Sequence, residues 1–299
     1  MAQIADTQAL PLAVPGNRRR MPSFAWLGVV PFLAFVLFFL IMPTFGLIIG
    51  AFQTPAGDFT LDNIRRLDQP TIRAAYWISI QVSLASSLLG AFVGFLLAWA
   101  VVMGHVPRFL RPMVTTFSGV ASNFAGIPLA FAFLATLGPT GLVTAFLMDA
   151  GINLRALGFT ILSFWGLTIT YLYFQIPLMV LILMPALDGL KKEWREASAI
   201  LGAIPFQYWR YVALPVLWPS LLGTTILLFA NAFGAVATAY ALTGSSLNIV
   251  PILLFAQIRG DVLHDPHLGY ALALGMILIT GLANVGYIWL RQRSERWIR

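Results

Sequence analysis

The segment Lys191–Pro215, KKEWREASAILGAIPFQYWRYVALP, lies between two long apolar stretches and is too polar to cross a membrane. Glu193–Leu201 is rich in residues that favour helices. Gly202 can adopt the left-handed conformation that ends a helix, and Pro205 has the fixed φ that suits the first turn of another. The pattern therefore predicts a helix, a turn and a second short helix.

This segment is longer than a connection between two spans requires. Helix–helix connections usually take about two to eight residues, whereas this one uses about two dozen. The small residues at 197–199 would let another surface come close to the helix backbone. We therefore interpret the segment as a docking element for another protein.

Outward from this segment the chain is strongly apolar. Of its 299 residues, 59% are hydrophobic and 10% are charged, whereas a soluble domain carries about 25% charged residues. A helix needs about 20 apolar residues to cross the hydrocarbon core. Six uncharged stretches exceed that length: Met21–Gly57, Ala74–Gly104, Pro112–Met148, Ala156–Leu187, Tyr211–Ile258 and Pro266–Leu290. Six such stretches do not fit the buried helices of a soluble protein, so we predict an all-α membrane protein with six transmembrane helices.

Two of the stretches contain breaks. The fifth has 48 residues, but Gly244-Ser245-Ser246 interrupts it and leaves Leu247–Ile258, which is too short to cross. We expect that piece to be a short helix or re-entrant segment at the outer face. In the third stretch, Gly138-Pro139 separates one span from a short tail.

The basic residues favour one orientation of the six spans. Lysine and arginine concentrate in cytoplasmic loops, and six spans place both termini on the side of the loops 104–111 and 188–210. Thirteen of the 18 basic residues lie on that side and five on the other. The first group is Arg18, Arg19, Arg20, Arg108, Arg111, Lys191, Lys192, Arg195, Arg210, Arg291, Arg293, Arg296 and Arg299, and the second is Arg65, Arg66, Arg73, Arg155 and Arg259. Both termini are therefore predicted to be cytoplasmic, and the net charge of +7 reflects membrane orientation and not nucleic-acid binding.

The sequence offers little for catalysis. No ionisable residue lies in the central part of any predicted span, although proton-driven carriers need buried ionisable relays. The chain has no P-loop signature for ATP and no cysteine. His105, His264 and His267 are at predicted loop positions, and two histidines beside Asp265 are more typical of a solvated loop than of a metal site. We predict no catalytic residue, no metal site and no cofactor bound by this chain.

Uncharged polar residues within the spans have two interpretations. They can hydrogen-bond between helices, or some can line a polar path through the membrane. Gln81, Asn123 and Asn231 are the better candidates for a path, because an amide is costly to bury without partners.

The docking segment resembles a known signature. It is similar to E-A-A-x3-G-x9-I-x-L-P, which is found in binding-protein-dependent ABC importer permeases. The matching residues are Glu196, Ala197, Ser198, Gly202, Val212, Leu214 and Pro215. Two of them depart from the pattern, Ser198 for Ala and Val212 for Ile, and both are conservative in size.

This resemblance implies a Type I ABC importer permease fold with a cytoplasmic coupling helix, Glu196–Gly202, seated in a cleft of an ATPase subunit. An ATPase dimer that binds ATP and Mg, a second permease subunit and an extracytoplasmic substrate-binding protein are the implied partners, in a bacterial inner membrane. The expected organisation is a disordered cytoplasmic tail (1–20), the first transmembrane helix with the start of an outer loop (21–57), a permease core with five transmembrane helices (74–290) and a cytoplasmic C-terminal tail (291–299). The alternative, a six-helix channel or secondary carrier, would leave the long ordered loop and its glutamate unexplained.

Two other segments are similar to polyamine-type permeases. They are FTLDNIRRL at Phe59–Leu67 and IRGDVLHDPHLGYALAL at Ile258–Leu274. Sulfate, ferric-ion and aminophosphonate permeases belong to the same broad subgroup. The expected substrate is polyamine-like, although specificity in such systems resides mainly in the binding protein.

Overall fold

The computed structural model describes residues 28–104, 106–244, 246–259 and 265–295, and the chain divides into two compact units, Met1–Gly46 and Leu47–Arg299. The predicted N-terminal tail, His105, His264 and the last four residues lie outside the described residues.

The helices are α1 Val30–Val36, α2 Met42–Ala51, α3 Asp62–Arg65, α4 Pro70–Met103, α5 Leu110–Ala121, α6 Ile127–Leu137, α7 Leu142–Asp149, α8 Phe164–Asp188, α9 Lys192–Ile200, α10 Pro205–Tyr208, α11 Leu214–Phe233, α12 Val236–Thr243, α13 Val250–Arg259 and α14 Pro266–Glu295. π-Helical turns at Leu37–Ile41 and Trp209–Ala213 and a 3₁₀ turn at Arg66–Asp68 join neighbouring helices.

The prediction of six transmembrane helices is confirmed. Six helical segments in the described part of the chain are long and apolar enough to cross a membrane, and the third of them comprises α6 and α7: Val30–Ala51, Pro70–Met103, Ile127–Asp149, Phe164–Asp188, Pro205–Phe233 and Pro266–Trp289. As predicted for the second half of the fifth stretch, α13 is apolar but has only 10 residues. Helix α14 continues to Glu295, so the first residues beyond the last predicted span are helical.

The first unit contributes an apolar, unburied helix. Neither α1 nor the π-helical turn Leu37–Ile41 contains a buried residue. Phe32 and Phe39 are about two-thirds exposed within this chain. Such a surface suits lipid or another apolar helix.

The centre of the second unit is the contact between α4 and α8. Small residues on α4, Gly90 and Gly94 among them, lie against α8, and a Cβ built on Gly94 would lie 2.6 Å from the Cβ of Met179. Helices in lipid gain little from the hydrophobic effect, so close packing through small residues and buried hydrogen bonds holds them together. Gln175 on α8, 0% exposed, donates from Nε2 to Ser86 Oγ of α4 at 2.7 Å.

Ion pairs mark the two ends of this unit. Arg111 at the start of α5 pairs with Asp188 at the end of α8, while Arg66 pairs with Asp265 before α14 at 2.6 Å. Burial would raise the pKa of Asp265, but the hydrogen bonds from Arg66 and from the backbone N–H of Leu268 outweigh it and lower the pKa below its ordinary value. Asp265 is therefore ionised near neutral pH, and the pair ties the segment after α3 to α14.

His267 is not in a loop, contrary to the sequence-based expectation. It lies in the first turn of α14, and its Nδ1 is 3.2 Å from the carbonyl oxygen of Gly50. Pro266 explains the difference, because proline favours the first position of a helix.

The third stretch contains a break that the sequence analysis did not predict. The break at Gly138-Pro139 is present, but a second one at residues 122–126 separates α5 from α6. Gly126 has φ +76°, which a helix does not accommodate, and Pro128 lacks the N–H that would continue the helical ladder. The stretch is therefore three helices, not one span with a short tail.

Candidate functional site

The predicted docking segment forms the expected helix, α9, which lies outside the spans. Its residues are exposed apart from Trp194 and Ser198, which are half-buried. Trp194 packs against a buried cluster that includes Leu190 and Tyr208, and Lys191 Nζ lies 5.8 Å from the centre of its ring. Trp194 thus attaches α9 to the bundle while the opposite face stays free.

Gly202 ends α9 as predicted. Its φ is +79°, its N–H donates to Ala199 O at 3.0 Å, and the N–H of Ala203 donates to Ser198 O at 3.0 Å. This pair of bonds is the Schellman arrangement, which satisfies carbonyls at a helix end and requires a left-handed residue. The turn after α9 therefore has one defined geometry.

The second helix begins at Pro205, also as predicted. Gln207 in its first turn accepts a hydrogen bond from the N–H of Ile204 through Oε1 at 2.9 Å, half of a capping box. The chain then continues through the π-helical turn Trp209–Ala213 directly into α11. No loop separates the docking segment from the fifth span.

The structure divides the seven signature residues between two places. Glu196 and Ala197 are exposed on α9, and Ser198 is half-buried with its hydroxyl donating to Arg195 O at 2.8 Å. Val212 in the π-helical turn and Leu214 and Pro215 at the start of α11 instead lie within the fifth span, where Val212 packs against the buried cluster that includes residues of α8. The Glu196–Gly202 part is the one that lies outside the six spans.

An apolar patch at the end of α9 was missed by the sequence analysis. Ile200 and Leu201 are each 86% exposed and Ile204 is 57% exposed. Beside them, the carboxylate of Glu196 has no ion-pair partner among the described residues. Several large apolar side chains exposed within five residues of one another, near a charged residue, are typical of an interaction site. Apolar residues in an otherwise polar loop were the available signal.

Asn123 lies in the break between α5 and α6. Its side chain is exposed, and its Nδ2 donates to Gly119 O at 2.9 Å. Phe124 in the same break packs edge-on against Tyr173, with ring centres 5.9 Å apart. Because Tyr173 is the tenth of the 25 residues of α8, the break is near the middle of the bundle.

A second break separates α11 from α12. Ala235 adopts φ −79° and ψ +62°, and the N–H of Val236 donates to Gly234 O at 2.8 Å, which forms an inverse γ-turn. The hydroxyl of Tyr171 donates to Ala235 O at 3.0 Å. Asn231, one turn before this break, is exposed.

A hydrogen bond joins the α5–α6 break to α12, the helix that follows the second break, because the N–H of Gly126 donates to Thr238 Oγ1 at 2.7 Å. Asn123 lies three residues before Gly126, and Asn231 lies seven residues before Thr238. Gln81 is also exposed, on α4, and the next residue, Val82, packs in the same buried cluster as Ala232.

A family model covers most of this architecture. Residues 86–299 match the model described as the binding-protein-dependent transport system inner membrane component. The chain belongs to this family. The match includes α9, both breaks and the last four of the six spans.

Two named relatives have about one-quarter sequence identity to this permease over the aligned regions. A probable sulfate transport system permease protein cysT of Nephroselmis olivacea is 26% identical over 81% of each chain. The molybdenum transport system permease protein ModB of Mycobacterium tuberculosis is 25% identical over 73% of this chain and 79% of its own.

Solved structures share the fold. An importer of the acidic polysaccharide alginate matches with a TM-score of 0.68 at 17% identity, covering 91% of this chain and 95% of that one. The MetNI methionine transporter matches with a TM-score of 0.51 at 16% identity, covering 76% and 99%.

These matches confirm the predicted fold, an ABC importer permease of Type I, and a role in transport and not in catalysis. ATP hydrolysis in such an importer belongs to a separate ATPase subunit. The polyamine expectation is not supported, because the substrates in the names of the two relatives above are sulfate and molybdenum.

Proposed function

We propose that this permease couples to its ATPase through the α9–α10 segment. The observation that carries the proposal is the exposed patch of Ile200, Leu201 and Ile204 beside the unpaired Glu196, on a helix with a defined end. In the assembled importer two permeases would sit on an ATPase dimer that binds ATP and Mg, with an extracytoplasmic binding protein opposite. The membrane would be the bacterial inner membrane, with both termini cytoplasmic.

The residues that flank α9 pack in a buried cluster that can transmit a displacement of α9 to the spans. Leu190 at the end of α8 and Tyr208 at the end of α10 are both 8% exposed and lie in one buried cluster with Met184 and Leu217. A packed cluster transmits movement because it has little free volume. Movement of α9 would therefore shift α8 and α11 together.

The two breaks support a translocation path at this level of the membrane. Irregular backbone at membrane depth is tolerated only where it is buried in protein or lines a water-filled cavity. The residues 123–125 are exposed in this chain, so they require such a cavity or a second subunit. We place Asn123 and Asn231 on the path between two permeases, with Gln81 as a third candidate.

The substrate is proposed to be an oxyanion of the sulfate or molybdate type. The names of relatives provide the main support. In addition, the six spans carry a carboxylate only at the last residue of two helices, Asp149 and Asp188, whereas a polyamine path would call for negative charge. Uptake of labelled sulfate, molybdate and spermidine into vesicles containing the complete importer distinguishes these substrates, and spermidine uptake alone would contradict the proposal.

Charge reversal at Glu196 tests the coupling proposal. An exposed ion pair contributes only about 0–1 kcal/mol, so Glu196→Gln should weaken assembly slightly. Glu196→Lys should do far more, because like charges across a docked surface cost several kcal/mol. We expect this variant to insert normally, to lose the ATPase during affinity purification and to lose uptake.

Glu193→Lys is the matched control, since Glu193 is exposed on the same helix but outside the signature. It should retain the ATPase. If Glu196→Lys kept both the ATPase and uptake, α9 would not be the docking element.

A further inference from the structure

An open apolar groove lies between α4 and the start of the fifth span. Its volume is about 360 Å³. Its lining contains one charged residue, Arg210. The other lining residues are aromatic or aliphatic: Phe95, Leu96, Trp99, Phe206, Trp209 and Leu214. Trp99 and Trp209 meet edge to face inside it, with ring centres 6.0 Å apart.

The groove lies at the depth of one lipid leaflet. Trp99 is four residues before the end of α4 and Leu214 is nine residues after the start of α10, which correspond to about 6 Å and about 14 Å along their helices. Tryptophan at such a depth is typical of the membrane interface. The groove therefore faces the leaflet on the side of α9.

The π-helical turn Trp209–Ala213 forms one wall. Tyr208, just before this turn, is buried in the core, whereas Trp209 and Arg210 within it line the groove. π-Turns of this kind occur frequently at functional sites.

Arg210 is the charged group at this groove. Its side chain is exposed, and its guanidinium carbon lies 5.7 Å from the centre of the Tyr211 ring. The ion pairs in the described part of the chain involve Arg65, Arg66, Arg73 and Arg111, and none involves Arg210. An unpaired guanidinium at the edge of an apolar groove complements a phosphate that is attached to a hydrocarbon chain.

We propose that this groove binds an anionic phospholipid of the leaflet facing α9, with an acyl chain along the apolar walls and the phosphate against Arg210. The proposal requires only that the chain crosses a membrane, so it does not depend on coupling through α9. A helix of a second permease copy is the competing occupant, but an apolar helix would leave the guanidinium without an anion.

Native mass spectrometry of the full-length chain in detergent tests the headgroup contact. The probes are phosphatidylglycerol and phosphatidylcholine with identical acyl chains. The wild-type chain should prefer phosphatidylglycerol, and Arg210→Gln should lower that preference about fivefold, the effect of one cation near an anionic surface. Arg108→Gln, which removes an exposed cation at the same end but outside the groove, should not. Equal effects of the two variants would overturn the assignment of Arg210.

Two further measurements test the groove itself. Leu96 is 43% exposed, so Leu96→Trp should fill the space and reduce the binding of both lipids while the chain remains monodisperse. A photoreactive benzoylphenylalanine at Phe206, which is 65% exposed, should crosslink to lipid in native membranes. A crosslink to a second permease or to the ATPase instead, or unchanged lipid binding by Leu96→Trp, would overturn the proposal.

Discussion

Gly202 has a role that depends on its backbone alone. Its φ is +79°, and a Cβ built there would meet nothing within 4 Å. Gly202→Val should therefore cause no clash but should strain the turn by about 1–2 kcal/mol, whereas Gly202→Asn should be tolerated because asparagine visits this conformation. We expect the valine variant to insert normally and to lose stimulation of the ATPase by loaded binding protein, while the asparagine variant keeps it. Normal stimulation and uptake with valine would show that Gly202 has no special backbone role.

Single residues were predictable where their role is local. Gly202 and Pro205 act through their own φ, so the sequence alone placed both ends of the turn. The partner of Gln175 was not predictable, because Ser86 lies 89 residues away in sequence and meets it only through the packing of α4 on α8. The polar segment around Ile200 and Leu201 was a signal for their exposure, but burial also depends on what surrounds a residue in the fold.

Gly94 determines how closely two helices can approach. Its built Cβ would lie 2.6 Å from Met179 Cβ and 3.0 Å from Ile176 O, and neither atom is the flexible end of a side chain. We expect Gly94→Leu to force α4 away from α8 and to cost at least about 1–3 kcal/mol, seen as a lower melting temperature and a smaller monodisperse fraction in detergent.

Gly119→Leu on α5 is the matched control, because nothing lies within 4 Å of its built Cβ. Leucine favours helices by about 1 kcal/mol over glycine, so this variant should be at least as stable as the wild type. Equal stability of the two leucine variants would contradict the close α4–α8 contact.

Breaks within helices were only partly predictable. Gly138-Pro139 and Gly244-Ser245-Ser246 combine two or more turn-forming residues, so both breaks were predictable from the sequence. The α5–α6 break relies on Gly126 together with its hydrogen bond to Thr238, 112 residues later. Gly126 and Pro128 were local signals for this break, but a single glycine in an apolar stretch is compatible with a helix, and the hydrogen bond to Thr238 could not be predicted from the sequence.

At the scale of the whole molecule, hydropathy predicted the number of spans and the ion pairs agree with their order. Arg111 and Asp188 place the start of α5 beside the end of α8, and Arg66 and Asp265 place the segment after α3 beside the start of α14. Both contacts are those expected if consecutive spans run in opposite directions within residues 47–295. Which end of the bundle faces the cytoplasm is predicted from the charge bias alone, because the packing of the helices is the same in either orientation.

Reporter fusions test that orientation directly. Fusions after Arg65 and after Asp149 should be active for alkaline phosphatase, which folds only outside the cytoplasm, and fusions after Arg111 and after Arg299 should fluoresce with a cytoplasmic reporter. The reason is the distribution of thirteen basic residues on one side and five on the other. The second half of the fifth stretch is the element that could alter this pattern, but α13 has 10 residues and a length of only about 15 Å, half of the hydrocarbon core. An external C-terminus would require either a seventh crossing after α9 or an inverted bundle, and an inverted bundle would place α9 on the wrong side of the membrane for an ATPase that uses cytoplasmic ATP.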